Sequence, residues 1–242
     1  MKSMSQVKAA VLAALVLSAC GGSGVNVSVD NFGGDGGGNN HGGNSNQVIS
    51  GRLLTLNQNG TLRSSGVAPT ANNINRISIN GKIVDIIPAG INSQGMVTAT
   101  TNNIERRVGG NLSYARWGYL KDQGMIYGYL LAQGEETAQM PTTGSAQYNG
   151  LSVHLPRNGS PINGTSQFRV DFANKTVTGT VTPDGHAAIG LNAAINGNTF
   201  SGTSANGSVN TSGGFYGSQA AEMAGVYSES GQFSGAFGAT KQ

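Results

Sequence analysis

From Gln47 onward the apolar residues of this chain alternate with polar ones, and Gly or Asn breaks the alternation at the spacing of successive short strands. Neighbouring side chains of an extended strand leave opposite faces, so such a segment has one dry face and one wet face. Phe168, Val170 and Phe172 share one face while Gln167, Arg169 and Asp171 share the other, and Val177, Gly179 and Val181 repeat the dry face on the next run. Strands are expected near 145–154, 164–172, 175–181, 187–195, 198–203, 207–216, 223–228 and 231–238. Eight antiparallel strands are enough to close a barrel whose interior is filled by side chains, and closure removes the free edges of an open sheet. The polar outer positions argue against a porin-like barrel, whose outside would be apolar.

Residues 47–140 are less regular and predict a smaller β-rich handle domain ahead of the barrel at 141–242. Ile77-Ser78-Ile79-Asn80-Gly81-Lys82-Ile83-Val84 reads as a hairpin, with Asn80-Gly81 supplying the two positive-φ positions of a type I′ turn. Leu112–Leu120 and Met125–Ala132 read as two further strands, and Met140-Pro141-Thr142-Thr143-Gly144 breaks the pattern at the junction. Composition supports an all-β chain: Gly occupies 39 of 242 positions and only 10% of residues are charged, neither of which suits a helix bundle.

The N-terminus carries a different message. Lys2 and Lys8 form a basic region, and Ala9–Leu17 is an apolar run too short to span a bilayer stably. Leu17-Ser18-Ala19-Cys20 resembles the lipobox of bacterial lipoproteins, which implies a signal peptide over residues 1–19 and lipid attachment at Cys20. Acyl chains on that one residue would anchor the protein, each buried CH₂ contributing about 0.8 kcal/mol. Gly21 after the Cys favours the outer membrane. As the only cysteine, Cys20 leaves no intramolecular disulfide to form. Residues 20–46 are nearly all Gly, Asn, Ser and Asp and are expected to act as a flexible tether with a reach of about 30 Å. Asp30 and Asp35 with their glycines form one aperiodic copy, too little for a calcium repeat, and no metal site is expected. Loss of Lys2 and Lys8 with the signal leaves 14 − 2 − 11 = +1 from side chains, so a pI near 9.1 does not point to nucleic acid.

Near the C-terminus, Gly214-Phe215-Tyr216-Gly217-Ser218-Gln219-Ala220-Ala221-Glu222-Met223-Ala224-Gly225-Val226-Tyr227 sets one helix-like turn, 218–223, between two strands. Ser218 is its expected N-cap. This segment, the run Gly164–Phe172, Gly179-Thr180-Val181, and a last strand Phe233-Ser234-Gly235-Ala236-Phe237-Gly238 resemble the C-terminal barrel of transferrin-binding protein B and related Slam-dependent surface lipoproteins. The resemblance covers roughly 140–242; Met223-Ala224 replaces the more usual Leu-Gly or Val-Gly. Ala220 and Ala221 would pack the turn against the barrel end, and Glu222 would satisfy backbone donors. The resemblance implies a barrel scaffold, a handle that carries specificity, a Slam-type export partner, and an outer-membrane lipoprotein facing the exterior. It also implies a host-derived ligand: haem or a haem/iron-carrying protein, or alternatively a complement regulator or other host protein. The length is closer to small single-barrel members resembling haemophilin than to two-lobed transferrin binders, which makes transferrin the least expected ligand.

A haem ligand would need His, Tyr or Met in an apolar slot. His41 falls in the tether, and His154 and His186 fall in the barrel half, leaving Tyr or Met to serve in the handle. Arg116, Trp117 and Tyr119 lie on one expected strand beside Tyr127 and Tyr129, and Arg with aromatics is the usual composition of a protein-binding hot spot. The competing reading makes Trp117 a core residue. Glu105, Arg106 and Arg107 read as a solvated turn. No Gly-x-Ser-x-Gly elbow, zinc motif or phosphate loop is present, so the chain is expected to be a binding protein with no required cofactor and no enzymatic activity.

Overall fold

The structure, a computed structural model, describes residues 48–125 and 127–242. Cys20, the signal, the tether and His41 lie outside the described residues.

Eight strands follow one another in the handle: β1 (Ile49–Leu56), β2 (Leu62–Val67), β3 (Arg76–Ile79), β4 (Lys82–Asp85), β5 (Met96–Thr101), β6 (Ile104–Gly109), β7 (Ala115–Asp122) and β8 (Gly128–Glu135). Six of them form an open sheet in the order β2-β1-β8-β7-β6-β5, while β3 and β4 pair separately as a hairpin. Asn80 and Gly81 turn that hairpin with φ of 51° and 78°. Both values are positive, as a type I′ turn requires.

The barrel is built from β9 (Ser145–Pro156), β10 (Ile162–Asp171), β11 (Thr176–Pro183), β12 (Ile189–Asn196), β13 (Thr199–Thr203), β14 (Val209–Tyr216), β15 (Glu222–Glu229) and β16 (Phe233–Lys241). It closes through β16 pairing with β9. All eight expected barrel strands are present, their ends displaced by a few residues. The interior is aromatic: Tyr148, Phe168, Phe172, Phe200, Phe215 and Phe237 are buried together with Met223 and Tyr227.

Two details depart from the sequence reading. The expected helix-like turn over 218–223 is a shorter 3-10 turn, Ser218–Ala220, capped by Gly217 without any side-chain hydrogen bond. Gln219 and Ala220 both adopt φ of 54°, so the backbone doubles back instead of winding, and Ser218 has no helix to cap. The expected solvated turn at 105–107 is strand β6. Arg106 is 3% exposed there and donates to the carbonyls of Asp85 (2.9 Å), Thr101 (3.1 Å) and Ile104 (2.8 Å). Those carbonyls satisfy a guanidinium that burial has removed from water, which explains how a charge is tolerated in the sheet.

The two faces of the handle sheet have different neighbours. Leu54, Leu56, Ala115, Trp117, Tyr119, Leu130 and Ala132 pack against the outside of the barrel at Val153, Leu155, Tyr216, Ala224, Val226 and Ala236. The opposite face, with Ile104, Val108, Leu120, Tyr129 and Leu131, is covered by Ile77, Val84 and Ile86 from the hairpin and the chain after it. Where the handle sits, the barrel exterior is therefore apolar, with small residues at Ala224, Ala236 and Gly238. A Cβ on Gly238 would fall 2.1 Å from the Trp117 ring and one on Gly109 2.2 Å from it, so both glycines are required by the close approach of the indole.

Candidate functional site

The five side chains singled out in the handle do not form one cluster, because adjacent residues on a pleated strand must leave opposite faces. Trp117 (0% exposed) and Tyr119 point to the barrel, and the Trp117 indole N–H donates to Asn111 Oδ1 at 3.3 Å. Burial, and then the nearby Glu105 charge, push the Tyr119 hydroxyl up and keep it neutral. These two side chains join handle to barrel, Trp117 wholly enclosed and Tyr119 showing only an edge in a small recess with Gln58, Lys121 and Leu155. Arg116 lies on the other face, where it donates to Asn75 Oδ1 (2.8 Å) and to the Leu112 and Ala115 carbonyls (both 2.7 Å). Desolvation lowers its pKa against the pull of Glu222 and Glu135. Arg116 thus clips the 73–76 loop to the sheet, which Gln133 also holds by donating to the carbonyls of Asn73, Ile74 and Arg76.

Tyr129 and Tyr127 occupy the outer face near the turns. Arg63 from β2 lies 4.2 Å above the Tyr127 ring, within the range of a cation–π contact. Tyr129 lines a small cavity of about 40 Å3 between the hairpin and the sheet, together with Ile79, Val84, Ile104, Leu120 and Met125. Its rim is polar. Asn80 Nδ2 donates to the Tyr129 hydroxyl (3.1 Å) and to Met125 Sδ (3.2 Å), while Lys82 pairs with Asp122 at 3.4 Å. Asp122 is held below the usual carboxylate range, first by the Gly124 N–H and also by Lys82 and Asn103. Met125 in its wall is 39% exposed, while Ile83, between Lys82 and Val84, leaves the opposite face of the hairpin and is 54% exposed. An apolar recess with a partly bare hydrophobic wall and a polar rim has the anatomy of a protein-contact site. Its volume admits the end of one apolar side chain, far less than a porphyrin. Sequence reading found Tyr129 and the Asn80-Gly81 turn but not their meeting, which depends on the hairpin folding back over strands 20 to 50 residues away.

The turns of both regions gather at one end of the molecule. β1 starts opposite Glu135 and finishes opposite Gly128, so Val48 sits at one end of the sheet and the turns at 57–61 and 123–125 at the other. The Asn158 N–H donates to the Asn59 carbonyl at 2.8 Å, which brings the β9–β10 turn of the barrel to that same end. At the opposite end Glu222 joins the two regions. Its carboxylate accepts, as expected, from backbone donors, the N–H groups of Ser113 (2.6 Å) and Tyr114 (2.9 Å) in the handle. Burial nevertheless pushes this carboxyl up, the backbone donors offsetting only part of the desolvation.

Of the barrel histidines, His154 is 5% exposed inside the barrel, with Nδ1 3.1 Å from the Tyr227 hydroxyl and its ring 5.0 Å from that of Phe233. Desolvation, and secondarily the proximity of His186, lower its pKa to about 4. His186 is exposed on the β11–β12 turn, its ring 6.3 Å from that of His154. The described residues hold no cluster of three or more His, Cys, Asp or Glu that could bind a metal ion.

Comparison with known proteins agrees with this architecture. Residues 140–241 match the family described as the C-lobe and N-lobe beta barrels of Tf-binding protein B. The C-terminal region is a transferrin-binding protein B-type barrel. The neisserial heparin binding antigen of Neisseria meningitidis serogroup B is 39% identical over 126 residues, covering 49% of this chain and 26% of that protein. Transferrin binding protein B of Haemophilus parasuis Hp5 superposes with a TM-score of 0.63 at 24% identity, over 81% of this chain and 45% of that chain. HpuA of Kingella denitrificans, solved in complex with human haemoglobin, gives 0.54 at 15% identity over 83% of this chain and 89% of that one. At these identities the structural likenesses establish the fold, and the chain spans about a quarter to a half of its first two relatives. The names of those relatives describe a binding protein and a heparin-binding antigen, and neither names an enzyme.

Proposed function

We propose that this chain is a lipid-anchored outer-membrane protein, exported by a Slam-type partner, whose handle captures a host protein carrying haem or iron. The observation that carries the reading is polarity of the molecule: the chain enters the fold at Val48, while the handle turns and the Tyr129 slot lie at the other end of the sheet. The slot suits one apolar side chain of a protein partner and excludes haem itself, which favours a protein carrier over free haem. A relative of similar extent in the handle-plus-barrel arrangement was solved with haemoglobin, which makes haemoglobin the first partner to try.

The test immobilises protein beginning at Gln47 and measures capture of haemoglobin from solution, with a parallel haem titration followed by visible absorbance. Saturable capture that Met125→Asp weakens at least tenfold, with no stoichiometric Soret band from haem alone, is expected. Capture unchanged in that variant would remove the slot from the reading. The name of the neisserial relative motivates a second arm, since the region from residue 47 carries 12 Lys and Arg against 9 Asp and Glu. Retention on heparin that disappears at moderate salt would favour a polyanion as ligand.

A further inference from the structure

The barrel is closed along seven of its eight seams by long ladders, but β12 and β13 pair only at Ala194↔Ser201, Ile195↔Phe200 and Asn196↔Thr199. Toward the end that carries the β13–β14 loop their ladder stops, although Gly202 still lies against the backbone of Asn192 and Ala193 and β12 continues to pair with β11 as far as Val181↔Ile189. Past that point, beside the β13–β14 loop, is a cavity of about 400 Å3. That volume lies within the usual range of small-ligand sites, about 300–1,000 Å3. Its walls are Ile189, Val209 and Phe233 on the apolar side, and Asn192, Ser204 and Asn206 on the polar side, with Glu229 at the mouth.

Glu229 and Phe233 stand directly opposite each other at the β15–β16 turn, so their side chains leave the same face. Among the described residues the Glu229 carboxylate takes part in no hydrogen bond and no ion pair. Behind Phe233 the barrel interior continues into His154, which burial keeps neutral and which therefore adds no opposing positive charge. The loop oxygens beneath are already engaged, Asn206 Oδ1 accepting from Ser204 Oγ (2.6 Å) and Ser204 Oγ from the Val209 N–H (2.9 Å), so the Glu229 carboxylate beside the Phe233 ring is the acceptor at the mouth left without a partner. Carboxylate and π face both attract an ammonium or guanidinium group, and each attraction strengthens where water is partly excluded.

We propose that this mouth of the barrel binds a small organic cation, a primary ammonium or a guanidinium, with Glu229 as counter-ion and Phe233 as the surface on which the cation or its alkyl stem rests. Either a free polyamine or a Lys or Arg side chain carries this chemistry. The site is separate from the handle slot and stands independently of the function proposed for it.

The experiment follows backbone amide shifts of Gly190, Asn206 and Gly231 in 15N-labelled protein beginning at Gln47, titrated with spermidine and, separately, with acetyl-Gly-Arg-Gly amide. Saturating shifts confined to these positions are expected for at least one probe, and which probe is tighter identifies the source of the cation. Glu229→Gln should weaken binding at least tenfold and Phe233→Leu by a few-fold, while Glu105→Gln, away from the mouth, should change nothing. Dispersed spectra of each variant would show the barrel intact, since Glu229 is at a strand end. No shift from either probe up to about 10 mM, the range of the weakest specific complexes, would overturn the proposal. Binding that Glu229→Gln leaves unchanged would overturn it equally.

Discussion

Barrel and handle are made from the same element, the short antiparallel strand, but they complete themselves differently. The barrel closes its sheet and fills it with its own aromatics, Phe168, Phe200, Phe215 and Phe237 among them. The handle sheet stays open, with β2 and β5 as edges, and neither of its faces is covered by the sheet itself. One face needs the barrel and the other needs the β3–β4 hairpin. The difference teaches that the barrel carries its stability internally, whereas the handle borrows half of its core. Specificity can vary on the outer handle face without disturbing the barrel, because the residues there touch only handle residues.

The contrast breaks most severely at Trp117. Its indole is wholly buried between β7 and the barrel at Gly238, so Trp117→Ala leaves a cavity shared by the two regions. The expected loss is about 3–5 kcal/mol. Urea unfolding followed by near-ultraviolet and far-ultraviolet dichroism should show the handle separating before the barrel in this variant. A single coincident transition at the unaltered midpoint would contradict the division drawn above.

Glu222 tests the same junction from the barrel side. Glu222→Gln can still accept one backbone N–H, but its amide nitrogen then faces the second donor, which loses its acceptor in a buried place. A loss of about 1–3 kcal/mol is expected in the same unfolding measurement. The Tyr148 hydroxyl, which donates to the Ala220 carbonyl (2.6 Å) in the neighbouring turn, supports the barrel end from inside, so the Gln variant should loosen the handle more than the barrel.

These two junction residues also show what could be read in advance. The barrel was legible because period-2 alternation is a local signal and each strand pairs with the next in sequence from β9 to β16. The hairpin at 76–85 was legible for the same reason, Asn80-Gly81 marking its turn. The junction was not. Trp117 and Tyr119 look the same in sequence whether they face a partner or the barrel, and only the pairing of β7 with β6 and β8 decides which side of the sheet they leave. Arg106 looked solvated because a charged residue gives no hint of three carbonyls waiting for it. Glu222 was correctly read as an acceptor of backbone donors, yet its donors are more than 100 residues away and no local pattern could name them. Of the candidate site, Tyr129 was visible and the slot around it was not.

Acid separates the two regions by a smaller amount. His154 is buried inside the barrel with its pKa lowered to about 4, whereas in the unfolded chain it titrates near 6.5. Between these values the unfolded state binds the extra proton, so stability is full above pH 6.5 and falls as the pH drops toward 4. The expected decrease is about 2 kcal/mol over that window. His154→Gln, which cannot titrate, should flatten the pH dependence of the barrel's thermal midpoint. An equally steep dependence in the variant would assign the acid sensitivity elsewhere.

The smallest expected effect lies on the outer handle face, where the barrel has no part. Asn80 does two things there: it turns the hairpin at φ 51°, and its amide donates to the Tyr129 hydroxyl across the slot. Alanine tolerates the left-handed region poorly and has no amide, so Asn80→Ala should cost about 1 kcal/mol in all. Asn80→Gly keeps the turn and loses only the hydrogen bond, which separates the two contributions. Both variants should leave the barrel's unfolding transition in place and loosen the hairpin, seen as faster amide exchange at Ile77 and Val84. Because Asn80 also closes the rim of the recess, host-protein capture should weaken in parallel with that exchange. Faster exchange with undiminished capture would show that the hairpin lends the handle stability without shaping its contact.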